Sequence, residues 1–267
     1  MKIHLSSIGF PQSLTRCNYM TSSLSFTDFE QFCIRVTENL KKFLSKDASL
    51  LNYEPKEDGS PVSSADLTIE DMIRREISQN FPDHGIQGEE RADHRHDSPF
   101  NWIIDPIDGT LSYLHGVPLY GCLIGFSINE EVKYGFMRLP AVANEFLSGD
   151  GTQARLNGKP VLAKQVADFK SSLILTTDMQ TLEKSEYSKL WTHCIEQGAT
   201  SRTWGDCFGY YLLCTGRADM MVDVGLKQHD ILPIYPILRG SGVKYESRRY
   251  KSLTDIVAMT AAFKQLL

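Results

Sequence analysis

The chain has 267 residues, 42% hydrophobic and 23% charged, with a formal net charge of -5. That balance is close to the globular average and excludes a disordered, collagen-like or small disulfide-scaffold chain. No apolar run reaches the ~20 residues needed to span a bilayer, and a mildly acidic chain without a basic tract is poorly suited to grip nucleic acid by bulk charge.

The cysteines Cys17, Cys33, Cys122, Cys194, Cys207 and Cys214 are scattered and form no C-x-x-C. This usage favours a reducing, cytoplasmic setting and argues against a zinc site. Residues 1–27 lack the continuous apolar stretch of a signal peptide and read as a loosely ordered leader, with Met20 an alternative start.

Thr27 and Glu30 have capping-box spacing, and Phe29, Phe32, Cys33, Val36, Leu40, Phe43 and Leu44 recur at helical period behind them. A helix of about four or five turns is expected there. A polar loop over residues 56–66 follows. A second helix is carried by Ile69, Met72, Ile73 and Ile77 and ends at Phe81-Pro82. Asn101 to Ile104 reads as a short buried strand. Leu119–Ile128 and Val132–Leu139 read as a hairpin about Asn129-Glu130-Glu131. Asn144 to Leu147, a turn at Gly149-Asp150-Gly151, and Asn157-Gly158-Lys159 continue the sheet.

Beyond this point strands and helices alternate. A strand is expected over 171–176, a helix over 182–197 ended by Gly198, a helix over 205–214 stopped by Gly216, and a strand over 218–224. Asp230 is placed to cap a last helix reaching Arg239, which Pro236 should kink. Without repeats or a low-complexity linker, the chain divides softly into halves over 28–150 and 151–267 that form one structural unit.

The informative segment is Gly88-Glu89-Glu90 followed by Trp102-Ile103-Ile104-Asp105-Pro106-Ile107-Asp108-Gly109-Thr110. An apolar strand delivers Asp105 to a tight turn set by Pro106 and Gly109, with Asp108 just beyond. Two carboxylates about 4 Å apart oppose each other by about 4 kcal/mol at an effective dielectric near 20. From His96 to Val132 there is no Lys or Arg to offset that. The residues alone leave two readings open: a capped turn with Asp108 as a helix N-cap, or a hard-oxygen site for Mg2+. The apolar strand, the nearby Glu89-Glu90 and the missing cations shift the balance toward the second.

Together with a later Asp opening a C-terminal helix, this G-E-E and W-I-I-D-P-I-D-G-T pattern resembles the inositol monophosphatase superfamily of Mg2+-dependent, lithium-sensitive phosphatases. The segments 58–66, 116–125, 154–161 and 202–213 resemble most the histidinol-phosphate phosphatases of that fold. The resemblance implies a layered αβαβα sandwich of the inositol monophosphatase and fructose-bisphosphatase type, a homodimer, and two or three Mg2+ per active site. It implies Glu89, Asp105 and the Ile107 carbonyl as ligands of a first metal, and Asp105, Asp108 and Asp230 of a second. Asp66 and Thr110 would orient and deprotonate the attacking water, supported by Glu90, while Gly109 and Thr110 at a helix start would hold phosphate oxygens. The family usually has Trp before its last ligand; here His229 stands there and is read as a structural substitute.

The implied reaction is hydrolysis of a small phosphate monoester by two-metal activation of water. Asp206 and Asp223 fall where the family meets the rest of the substrate, and acids there suit the ammonium and imidazole of L-histidinol phosphate. In the plainer reading Asp206 caps a helix and Asp223 ends a strand. Arg202, Trp204 and Tyr210 are candidate pocket residues, with core packing the equal alternative for Trp204 and Tyr210. The competing expectations are an inositol, sugar or nucleotide phosphatase and, of another class, a phosphatase-fold binding partner in transcription.

Overall fold

The computed structural model describes residues 24–40, 44, 53–55, 61–95, 97–165 and 167–267. The expected leader before Leu24, Cys17, Met20, Phe43, residues 56–60 of the first polar loop and His96 lie outside them.

The first helix is α1 (Phe26–Thr37), capped by Ser25, whose hydroxyl accepts from the Asp28 N–H at 3.2 Å. The expected Thr27–Glu30 box is not formed. Glu30 is buried, and its carboxylate meets the Ser148 hydroxyl and Arg155 Nη1, the latter at 3.1 Å. A charged contact to distant strands outcompetes a local cap. A true capping box closes instead one helix later. After the short pair β1 (Tyr53–Pro55) and β2 (Pro61–Ser63) comes α2 (Ser64–Asn80), where Ser63 and Asp66 bond reciprocally.

Seven strands then form one sheet in chain order: β3 (Gly85–Gly88), β4 (Phe100–Asp108), β5 (Gly121–Ile128), β6 (Glu131–Leu139), β7 (Glu145–Gly149), β8 (Ala154–Leu156) and β9 (Lys159–Pro160). All neighbours are antiparallel except β3 with β4. The β5–β6 hairpin turns on Asn129 and Glu130, both at positive φ (49° and 68°), as a two-residue primed turn requires. Pro106 is no turn residue: β4 runs through it to Asp108, with a register irregularity between Asp105 and Asp108. The chain turns at Gly109 (φ 86°) into the short helix α3 (Thr110–Leu114).

The second sheet takes the order β11-β10-β12-β14-β13, from β10 (Leu173–Leu175), β11 (Thr200–Arg202), β12 (Met220–Leu226), β13 (Lys244–Tyr250) and β14 (Leu253–Met259). The helix expected over 182–197 is two helices, α4 (Met179–Lys184) and α5 (Ser188–Glu196). Ser185 breaks them: its hydroxyl donates to the Leu182 carbonyl at 2.7 Å and accepts from the Tyr187 N–H at 3.1 Å. Next come α6 (Asp206–Cys214), α7 (Gln228–Ile231), α8 (Tyr235–Ser241) and α9 (Ala261–Lys264). The helix expected from Asp230 to Arg239 is thus α7 and α8, because Pro233 lies between them and Pro236 is tolerated only near the start of α8.

Alternation along the strands builds the layers. Cys122, Ile124 and Phe126 of β5 pack with α1 and α2, while Leu123 faces the opposite cluster with Tyr210, Leu213, Ile237 and Leu238 of α6 and α8. In β12, Met221 joins that central cluster, whereas Met220 and Val222 face Leu182, Trp191, Cys194 and Phe263 of α4, α5 and α9. Two helices, a seven-stranded sheet, a helical layer, a five-stranded sheet and a last helical layer therefore stack as αβαβα. The cysteines Cys33, Cys122, Cys194, Cys207 and Cys214 are buried free thiols. Among the described residues no helix is long and apolar enough to cross a membrane.

Phe29 is fully buried, with ring centroids 5.7 Å from Trp102 and 6.4 Å from Phe126. Phe29→Ala should destabilise the fold by about 3–5 kcal/mol, measured by denaturant unfolding, since the surrounding aromatic rings cannot collapse into the space left.

Candidate active site

Three elements converge on one group of acids. Strand β4 carries Asp105 and Asp108, the turn after β3 carries Glu89, and α7 carries Asp230. Ligand atoms of Asp105, Asp108 and Asp230 lie within 4.8 Å of one another, and so do those of Glu89, Asp105 and His229. Asp105 is 2% exposed, and its Oδ1 has no hydrogen-bond partner among the described residues. Burial, then the charges of Glu89, Asp108 and Asp230, pushes its pKa well above the usual carboxylate range. Burial followed by Asp206 and Asp230 does the same to Asp108.

An orphaned buried carboxylate oxygen, surrounded by more carboxylates, is the donor set of a hard divalent cation. The residues present fit Mg2+. The Ile107 carbonyl, expected as a ligand, accepts from the Thr110 hydroxyl at 2.9 Å and retains a second lone pair.

Asp66 is fully buried at the start of α2. Its Oδ2 accepts from the Ser63 N–H at 2.7 Å and the Ser63 hydroxyl at 2.6 Å, while its Oδ1 faces the Thr110 hydroxyl at 3.4 Å. The expected Asp66–Thr110 pair is therefore assembled across α2 and α3. Gly109 beside it requires its positive φ, and a Cβ there would lie 2.8 Å from the Leu119 carbonyl and 3.1 Å from Asp206 Oδ2.

Asp206 does not cap α6. It is the first helical residue, held at φ 49°, and its N–H donates to Thr177 Oγ1 at 2.8 Å. The acceptor at the start of α6 is Asp108, whose carboxylate takes the Cys207 N–H. Burial, then Asp223 and Asp230, pushes Asp206 up to about 7. Asp223, 2% exposed on β12, accepts from the Thr177 N–H at 3.0 Å. Burial raises its pKa and the hydrogen bonds of Thr177 oppose that rise. Asp206 and Asp223 thus join the acid group. Arg202 is exposed; its contacts are with the Ser201 carbonyl and the Trp204 ring, whose centroid is 5.9 Å from the guanidinium. Tyr210 is core, and Trp204 is 41% exposed.

The sequence reading missed Glu70. It is fully buried on α2, and its carboxylate accepts from the Glu90 N–H at 2.7 Å, the Arg91 N–H at 3.1 Å and Arg74 Nε at 2.6 Å. It thereby fixes the turn that presents Glu89 and half-buried Glu90. A Cβ on Gly88 would lie 2.1 Å from Glu70 Oε1, so that approach needs a glycine. The one signal for it was the Glu70–Arg74 spacing on a helix face. Asp230 was expected as a cap; Lys227 holds that position, and its N–H donates to Asp230 Oδ2 at 2.7 Å.

The model of the inositol monophosphatase family matches residues 24–258. The chain is 34% identical over 212 residues to a histidinol-phosphatase of Chlorobaculum parvum, covering 78% of this chain and 80% of that protein. It is 28% identical over 228 residues to a fructose-1,6-bisphosphatase/inositol-1-monophosphatase of Aquifex aeolicus, covering 78% and 86%. The crystal structure of extragenic suppressor protein suhB from Bartonella henselae superposes with a TM-score of 0.79 at 19% identity, covering 89% of this chain and 96% of that one. With its αβαβα layers, the chain belongs to the inositol monophosphatase family of phosphatases.

Proposed function

We propose that the chain hydrolyses a small cationic phosphate monoester, L-histidinol phosphate, at the Asp105 cluster with Mg2+. The observation that carries the reading is the unpartnered Oδ1 of Asp105 among carboxylates. Glu89, Asp105 and Ile107 would hold one ion, and Asp105, Asp108 and Asp230 a second. Bound there, Mg2+ supplies Lewis-acid stabilisation of phosphoryl charge and lowers the pKa of the attacking water.

The chain's own residues do the rest. The single Thr110 hydroxyl proton has two acceptors in reach, the Ile107 carbonyl at 2.9 Å and Asp66 Oδ1 at 3.4 Å; passed to Asp66, it leaves Thr110 Oγ1 free to accept a proton from the attacking water. Asp66 Oδ1 stands within reach of the same hydroxyl as the proton acceptor, its other oxygen being held by Ser63. Attack forms a new P–O bond as the bond to the leaving alcohol breaks, and the leaving oxygen takes up a proton. Glu70 acts only by positioning, through the Glu89–Glu90 turn. Asp206 and Asp223 favour a leaving group that carries positive charge, in keeping with the similarity to a histidinol-phosphatase.

Asp105→Asn should abolish cation-dependent turnover while keeping the fold, read by steady-state assay and circular dichroism; hydrolysis at the parent rate in EDTA would sink the reading. The ratio of kcat/KM for histidinol phosphate to that for inositol 1-phosphate should exceed one, and an inositol preference of about ten-fold or more would reverse the substrate assignment. Glu70→Gln should weaken Mg2+ binding by about 10–100-fold, measured by titration calorimetry, with little change in histidinol phosphate contacts.

The raised acid pKa values fix the sign of a pH effect. The folded, cation-free chain holds these protons more tightly than the unfolded chain, so the stability they contribute is present below about pH 4 and is lost as pH rises toward about 7, where Asp206 titrates. Thermal unfolding in EDTA should show that decline. Mg2+ should oppose it, because the cation binds the deprotonated carboxylates.

A further inference from the structure

Where the family resemblance leads one to expect Trp, this chain has His229, and its surroundings differ from those of a packing substitute. Nε2 is buried and without a hydrogen-bond partner among the described residues. It lies 3.7 Å from Glu89 Oε1 and 3.3 Å from Asp230 Oδ1. With Glu89 and Asp105 it forms a set of donor atoms all within 4.8 Å of one another. Bonds of about 2.0–2.2 Å from a cation to N and O donors place neighbouring donors roughly 3–3.5 Å apart. The His229–Glu89 separation, the one that belongs to this set, is just above that spacing. Asp105 Oδ1, the other unpartnered atom of the set, belongs to a side chain that is 2% exposed.

The helix that carries the ring is tied to β3 from outside the acid group. Gln87 Nε2, at the end of β3, donates to Gln228 Oε1 at 3.1 Å. This bond ties α7 to the strand that leads into Glu89, and so presents His229 across from that carboxylate. A histidine kept merely as a counter-charge would point an N–H at Glu89 or Asp230. Neither contact meets hydrogen-bond geometry, and an imidazole lone pair facing a cation needs none.

We propose that His229 is a nitrogen ligand of the cation held by Glu89 and Asp105, so that this centre takes first-row transition ions more readily than an all-oxygen site does. The inference rests on the reading of the acid cluster as a cation site. Imidazole is a softer donor than carboxylate and favours such ions over Mg2+.

The test uses the intact chain with Mn2+ alone, followed by electron spin-echo spectroscopy, and with Co2+ or Mg2+ in separate calorimetric titrations. Wild type should bind Mn2+ with hyperfine coupling to an imidazole nitrogen. His229→Gln should still bind Mn2+, lose that coupling, and lose about 10–100-fold in Co2+ affinity with a smaller loss for Mg2+. His229→Trp provides the same comparison should the glutamine variant fold poorly. Bound Mn2+ without imidazole coupling in wild type, or coupling that persists in both variants, would overturn the ligand assignment and leave the carboxylate centre standing. No Mn2+ bound by wild type at millimolar concentration would overturn both.

Discussion

A buried carboxylate oxygen without a donor is the constraint around which this molecule is organised. Asp105 sits within β4 directly after Trp102 to Ile104, which are core, so it cannot retreat to solvent. Leaving its charge unmatched would cost several kcal/mol. The groups that perturb it most after burial are further acids, which makes matters worse rather than better. The turn after β3, strand β4 and α7 together assemble a donor set that could hold a cation.

The same acids join the two sheets. Asp108 belongs to β4 of the seven-stranded sheet, yet its carboxylate takes the Cys207 N–H at the start of α6. Helix α6 packs in the central layer that both sheets share. Negative charge at a helix start is favourable, so Asp108 serves as helix acceptor and candidate ligand together. Asp206, one residue earlier, is forced into a left-handed backbone with Thr177 accepting its N–H. Strain of that kind persists only where the surroundings over-determine it. Here it brings the Asp206 carboxylate beside Gly109.

Much of this was legible in the sequence because the informative residues lie in one local run. Glu89, Asp105 and Asp108 could be grouped from spacing, apolar flanks and missing cations. The αβαβα layering came from the family resemblance and is accounted for by which face each strand residue buries. What stayed hidden depends on partners far along the chain. Glu70 looks like a surface helix acid until the Glu90 and Arg91 N–H groups arrive. Glu30 has the spacing of a capping box and is drawn instead to Ser148 and Arg155. The apolar period continues through Ser185, so nothing in periodicity announced the break between α4 and α5. The β13–β14 hairpin escaped because β13 is almost wholly exposed and shows no alternation of buried residues.

That last strand has a consequence of its own. β13 forms one border of the five-stranded sheet, and among the described residues no strand pairs with its outer side. An unpaired border of this kind invites another strand to add on. Lys244, Glu246, Arg248 and Arg249 populate it densely, and Arg248 and Lys264 hold Glu186 and Glu246 in ion pairs across it. An incoming ribbon would have to lay its own side chains beside those charges, which disfavours its addition. The chain thus keeps an open flank without inviting fibre-like growth from it.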